Sequence, residues 1–261
     1  MEVFAFSFAL GVLAPIAVLW PLERFFPANP SQPFWRPDSR LDVLYWLSLP
    51  VLRGALAALA AIPAIALGLF SEHELAHGFG PLSRQPGWLQ AIEFLVLFDL
   101  ICYWAHRTFH GPRLWKFHAI HHSSPQLDWL STVRHHPVNE IVMRIGQSLP
   151  VLLLGFSPTV LAWCLPLVTV HSLLIHSNLK WTFGPLGYVL VSPAFHRWHH
   201  TSQPEGIDKN FAEICPLWDR LFGTYYFPNH LPEKYGIHDL AFPDRFFGQI
   251  AYPFRRAVKG D

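Results

Sequence analysis

The chain has 261 residues, about half of them apolar or aromatic, with 14% charged and a formal net charge of +1. An average soluble domain carries about 25% charged residues, so this composition excludes an ordinary soluble protein, and the near-zero charge argues against a nucleic-acid partner. Cys102, Cys164 and Cys215 stand far apart with no C-x-x-C, so neither a disulfide framework nor a thiolate metal site is indicated.

The first apolar run covers roughly residues 3–22. It lacks the basic start and small-residue cleavage site of a signal peptide. About 20 apolar residues span a bilayer, so it reads as a first transmembrane helix. A polar, Pro-rich link with Arg24, Arg36 and Arg40 follows. The second run, roughly 41–70, is interrupted by Pro50, Arg53 and Pro63. It reads as one kinked span, or as a surface segment followed by a span, with Arg53 snorkelling to the near interface. Residues 71–87 read as a polar loop. Its His73 and His77, four apart, lie beyond two spans from the other histidines.

The third span, roughly 88–105, delivers His106 to the membrane surface. A fourth hydrophobic region runs from about 141 to 175, with Gly155 and Pro158 near its middle, and reads as a crossing or a re-entrant hairpin. From His176 onward the chain is too polar and Pro-rich to span. The expectation is an all-α integral membrane protein with about four transmembrane helices and a cytosolic helical cap. It is a single domain over 1–261: spans in 1–87, a histidine-rich catalytic region in 88–227, and a surface tail in 228–261. Lys and Arg number three in the 24–40 link, four in 106–134 and nine after 176, against Arg84 alone in 71–87. By the positive-inside rule the histidine-rich regions face the cytoplasm. A compact chain without long insertions fits a bacterial inner-membrane protein.

The histidines carry the chemistry. His106 and His110 are four apart; His118, His121 and His122 repeat the spacing of His196, His199 and His200. Residues three or four apart share a helix face, so each group can aim its rings at one point. Gly111-Pro112 breaks the helix between the first two groups. A zinc site needs three or four ligands, so these eight histidines, with His176 as a ninth, imply two metals. Imidazole suits Zn, Cu, Fe and Ni. His171, five before His176, is a weaker candidate, as are His135 and His136 before Pro137. Asp99 lies two helical turns before His106 and reads as a carboxylate orienting a ligand ring. Asp128, Glu140, Asn178, Asn210 and Asp219 are lesser candidates for that role. Trp104, Trp115, Trp129, Trp181 and Trp198 read as interfacial anchors or as walls of a lipid entry.

Six stretches carry a family resemblance: D-x-x-x-Y-W-x-H-R-x-x-H from Asp99, W-x-x-H-x-x-H-H-S from Trp115, R-x-H-P-x-x-E from Arg134, I-H-S-N from Ile175, S-P-x-x-H-R-x-H-H-T from Ser192, and D-x-N-F from Asp208 followed by W-D-R-L-F-G-T-Y from Trp218. In this order, over roughly residues 90–227, the chain resembles the fatty acid hydroxylase superfamily, including its sterol-desaturase-like membrane di-iron oxidases. The resemblance implies two Fe ions, O2 as co-substrate, and hydroxylation or desaturation of an unactivated C–H bond in a lipid. It carries the ligand role onto His106, His110, His118, His121, His122, His176, His196, His199 and His200. Ala212 departs from the Gly often found there. No dinucleotide fingerprint, haem-attachment motif or iron–sulfur cysteine set is present, so a reductase, ferredoxin or cytochrome must supply electrons. A membrane zinc-dependent lipid amidase or esterase is the alternative. Zinc in a purified sample would not by itself support it, because imidazole sites bind zinc tightly.

Overall fold

The computed structural model describes residues 16–66, 68, 71, 74, 78, 80–238 and 241–255. Most of the expected first span and the His73/His77 pair lie outside the described residues. The described chain is α-helical, with helix α1 over residues 16–25, α2 Ser39–Ala66, α3 Gly87–Phe109, α4 Trp115–His122, α5 Pro137–Leu154, α6 Pro158–His176, α7 Pro193–His199, α8 Leu217–Leu221 and α9 Phe246–Ala251. Among the described residues three helices are long and apolar enough to cross a membrane: α3, α6 and the Ser39–Leu59 part of α2. Within the described residues the second apolar run is one helix as far as Ala66, continuous through Pro50 and Arg53. The fourth hydrophobic region is two helices, α5 and α6. Gly155, at φ +70°, ends α5 in the left-handed conformation that glycine adopts without strain, and Pro158 opens α6 where no N–H is needed.

Helices α3 and α6 pack along matching ridges. Phe94, Phe98 and Cys102, four apart on α3, meet Val160, Cys164 and Val168, four apart on α6, and Phe156 closes the group. In a bilayer such contact is held by van der Waals fit rather than by expulsion of water. Helix α2 buries Leu41, Tyr45 and Leu49 on one face. Its Trp46 indole donates to the Leu130 carbonyl at 2.9 Å, tying α2 to the turn over Trp129–Val133.

Buried ion pairs fix the polar end of the bundle. Arg36 donates to both oxygens of Asp128, at 2.5 and 2.6 Å, and to Asp42 at 2.7 Å; Arg134 pairs with the other oxygen of Asp42. All four side chains are buried. They bind the start of α2 to the segment that follows α4. The tail is docked as well: Tyr45 donates to Gln249 of α9 at 2.8 Å.

Two expectations are corrected. Arg53 does not snorkel; its Nε donates to Glu140 Oε1 at 2.6 Å, because the first turn of α5 brings a carboxylate within reach. Trp129 and Trp198 are interior residues rather than interfacial anchors, and the Trp198 indole donates to the His230 carbonyl at 2.9 Å. Trp104 is exposed, as an anchor would be.

Candidate metal centre

Nine histidines gather in two neighbouring clusters. His106, His110, His118, His122 and His199 form one; His121, His176, His196 and His200 form the other, with the ligand atoms of each within 4.8 Å of one another. Helix α3 and its C-cap supply His106 and His110, α6 ends on His176, and α4 and α7 each feed both clusters. Neighbours on a helix differ by about 100°, so the adjacent pairs His121-His122 and His199-His200 diverge, one ring to each cluster. The clusters share a wall where the rings of His122 and His200 stack at 4.5 Å.

The local structure aims these rings. Ser192 caps α7 by accepting the Phe195 N–H at 3.2 Å, and Pro193 occupies its first position. Arg197, on the same short helix, donates to the carbonyls of Leu127 and Ser177 and to Asn178, which anchors α7 between its neighbours. Residues 208–215 form a loop held from two sides. Asp219 accepts the N–H groups of Phe211 and Ala212 at 2.7 and 3.0 Å. Asp99 accepts those of Glu213, Ile214 and Cys215 at 3.1, 2.8 and 2.7 Å, and the Trp218 indole at 3.0 Å.

That loop presents oxygen atoms to three ligand rings. The Nδ1–H of His106 donates to the Phe211 carbonyl at 3.0 Å, that of His199 to the Lys209 carbonyl at 2.8 Å, and that of His110 to Asp208 at 3.0 Å. His118 donates from Nδ1 to Asn139 at 3.0 Å, and His176 to the Ser172 carbonyl at 2.7 Å. An oxygen acceptor fixes the proton on Nδ1 and leaves the Nε2 lone pair for a metal.

The donor set fits a transition metal. The Nε2 atoms of His106, His118 and His199 are buried without a hydrogen-bond partner. Nε2 of His176 lies 3.1 Å from that of His121 and 3.0 Å from that of His196, which is 3.1 Å from that of His200. A tetrahedron of metal–nitrogen bonds of about 2 Å has edges of about 3.3 Å, so this convergence matches a four-nitrogen site. Burial pushes the imidazoles of His118, His121, His122, His196, His199 and His200 well below their usual 6.5, and neighbouring rings push them further. The rings are therefore neutral, the form that binds metal. His110 is lowered by burial, with Asp208 opposing the shift.

Several residues fall elsewhere than their spacing suggested. Asp99 bonds no histidine; it acts on His106 only through the loop that carries Phe211. His171 belongs to neither cluster, because five residues along a helix turn it about 140° away from His176. His136 caps α5, accepting the Val138 N–H at 3.0 Å, and its Nε2–H donates to the Ile250 carbonyl. Asp128 and Glu140 pair with arginines, while Asn178, Asn210 and Asp219 bond the backbone of neighbouring loops. The direct partners that the sequence did not reveal are Asp208 and Asn139. Both stand inside the matched motifs, but nothing in their spacing distinguishes them.

A cavity of about 430 Å³ lies between α2, α3, α5 and α6. Its inner end is formed by His106 and His118 of one cluster and His121, His176 and His196 of the other. Phe98, Leu165 and Val168 supply apolar wall, and Arg53, Glu140, Arg144 and Glu213 line it too.

Fold and site together define an α-helical membrane protein with two histidine clusters able to coordinate metal. The chain belongs to the fatty acid hydroxylase family, whose model matches residues 91–224. An ornithine lipid hydroxylase of Rhizobium tropici is 28% identical over 95% of this chain and 76% of its own length. The alkylglycerol monooxygenases of Danio rerio and Homo sapiens are 35% and 33% identical over 56% and 64% of the chain. This chain spans about a third of their length, 32% and 36%. No solved structure matches the chain.

Proposed function

We propose that the two clusters hold two iron ions and that the chain uses O2 to hydroxylate or desaturate an unactivated C–H bond of a membrane lipid. The observation that carries this reading is the opening of both histidine clusters, nine rings in all, onto one cavity between apolar helices. The relatives support a lipid substrate, since their names specify an ornithine lipid and alkylglycerols. His106, His110, His118, His122 and His199 would hold one ion, and His121, His176, His196 and His200 the other. Bound iron would supply the activation of O2 and the oxidising power for the C–H bond.

The chain's own residues prepare that chemistry. Burial keeps the rings neutral, and the Nδ1 acceptors hold five of them at fixed orientation. Phe98, Leu165 and Val168 receive the acyl or alkyl part of the substrate and keep water from the clusters. The substrate enters from the bilayer. The Lys and Arg distribution supports a site on the cytoplasmic side of a bacterial inner membrane, where an external reductase, ferredoxin or cytochrome delivers electrons.

The test is metal content with Mössbauer spectra on protein made in iron-replete cells and purified anaerobically, beside a His199→Ala, His200→Ala double variant. About two irons per chain, lost in the variant, is the expected result. Zinc without iron under these conditions would overturn the reading in favour of a zinc-dependent lipid amidase or esterase.

A further inference from the structure

Reduction of O2 consumes protons, and the cavity that faces the clusters has few groups able to give one. When one oxygen atom enters the lipid and the other leaves as water, R–H, O2, two electrons and two protons become R–OH and H2O. Desaturation draws the same two protons and releases two waters. Phe98, Leu165 and Val168 give the cavity apolar wall that keeps bulk water away. The protons therefore need a carrier built into the protein.

Among the described residues that line the cavity, Glu140 and Glu213 are the only carboxyl groups. Arg53 and Arg144 both donate from Nε to one oxygen of Glu140, at 2.6 and 2.7 Å. A carboxylate so paired keeps its charge and gives up no proton. His135 also faces the cavity, but burial lowers it to about 4, so near neutral pH it carries no acidic proton. Glu213 is the acid that remains.

Glu213 is placed to gain and lose a proton. Its backbone is fixed, because its N–H and those of the next two residues donate to Asp99. It shares the cavity with His106 of one cluster and with His176 and His196 of the other. Its carboxyl bonds Ser172 and Cys102. The Cys102 sulfur in turn accepts from Gln147 Nε2 at 3.2 Å. Gln147 lies three residues after Arg144 on α5, so the two share a face, and the Arg144 side chain is about 38% exposed. A polar line thus leads from an exposed guanidinium through Gln147 and Cys102 to Glu213. The charged and titratable groups around Glu213 are Asp99 and Cys102 of α3, Arg53 of α2, Glu140 and Arg144 of α5, and His171 of α6. Burial raises its carboxyl above the ordinary value; the bonds to Ser172 and Cys102 and the charges of Arg144 and Arg53 oppose that shift without cancelling it. Bound metal would oppose it too. A raised acid drawn back towards neutral pH suits proton transfer.

We propose that Glu213 carries protons from the Arg144 end of the cavity to the oxygen being reduced beside the two clusters. The inference rests on the lipid-oxidase reading and adds a proton donor to it. In each passage the O–H bond of the carboxyl breaks and a new O–H bond forms on the reduced oxygen. The carboxylate then takes a replacement proton from water at the Arg144 end. The electrons come from the external donor, so Glu213 is neither oxidised nor reduced.

Infrared spectroscopy tests the carrier without turnover. Zinc-loaded protein in detergent has the metal charge in place and runs no O2 chemistry. The difference spectrum of wild type minus Glu213→Gln is expected to contain the C=O band of a protonated carboxyl. That band should shift in D2O as the proton exchanges, and disappear with a midpoint between about pH 5 and 9. A Glu213 that stays ionised over this range, or whose proton does not exchange, would overturn the inference. A second arm mixes reduced, iron-loaded protein with O2 and follows oxidation of the iron optically. Wild type should react more slowly in D2O and at a pH-dependent rate. Glu213→Gln should lose the pH dependence and react about 100-fold or more slowly at unchanged iron content, and Glu213→Asp should restore both in part. An unchanged rate and pH profile in Glu213→Gln would sink the inference alone. Wild type inert to O2 would fail the oxidase reading and the proton carrier with it, whereas the infrared result does not depend on which metal is bound.

Discussion

Asp208 accepts the Nδ1–H of His110 at 3.0 Å, and it is the one carboxylate among the described residues that bonds a ligand ring directly. It sits on the loop whose Lys209 and Phe211 carbonyls hold His199 and His106. Three of the five ligands in one cluster are thus oriented from four consecutive residues. Partners of this kind are typically worth 10–100-fold in metal affinity. Asp208→Ala should lose metal from the five-histidine cluster about 10–100-fold more readily, with the four-histidine cluster retained. Chelator competition followed by metal analysis would check this, with one ion leaving early and one late. Asp208→Asn keeps an oxygen acceptor and should fall between.

Asp99 works at one remove. Removing its carboxylate would leave three backbone N–H groups and an indole N–H without their acceptor. Asp99→Ala should therefore lower thermal stability, by about 3 kcal/mol or more, whether or not metal is bound. A carboxylate acting on His106 directly would instead change metal affinity and leave the melting temperature of metal-free protein nearly unmoved. The two readouts separate the roles.

Much of the centre was legible because helical spacing is a geometric constraint. His106/His110 and the two H-x-x-H-H groups supply eight of the nine clustered rings, and His176 follows from its place at the end of an apolar run. Their division into two clusters was not legible. It depends on how α4 and α7 are rotated against α3 and α6, which only packing decides. The ring acceptors were hidden for another reason, since three of the five are backbone carbonyls and every residue has one. Asp99 was misplaced because two helical turns seemed to point it at His106, while its real partners lie more than 110 residues away. Arg53 was misread similarly, since Glu140 is 87 residues distant in sequence. The break between α5 and α6, by contrast, was visible in Gly155 and Pro158.

The Arg36–Asp42–Arg134 group is buried, and among the described residues its further ion pairs are Arg36 with Asp128 and a longer contact of Arg134 to Asp38 at 3.5 Å. Breaking a buried pair strands a charge and typically costs 3–5 kcal/mol. Asp42→Ala removes the acceptor common to both arginines. It should destabilise the protein by about that amount and loosen the segment that follows α4, seen as earlier thermal unfolding in detergent. Replacing the exposed Asp244 should shift stability by less than about 0.5 kcal/mol, which provides the comparison.

Glu23 gives the protein a pH dependence of known sign. One of its oxygens accepts the N–H groups of Trp129 and Asn178, at 3.0 and 2.8 Å. Burial, helped by the nearby Asp128 charge, raises its carboxyl from 4.5 to about 7. The folded state therefore holds the proton more tightly than the unfolded state. Its contribution is fully present below pH 4.5 and is lost as pH rises through about 7. Over that interval wild-type stability should fall with increasing pH, by at most about 3 kcal/mol from this group. Glu23→Gln keeps the accepting oxygen and removes the titration. The variant should match wild type at pH 5, exceed it in melting temperature at pH 8, and show a flatter profile between. An unchanged slope in the variant would mean that another group carries the pH dependence.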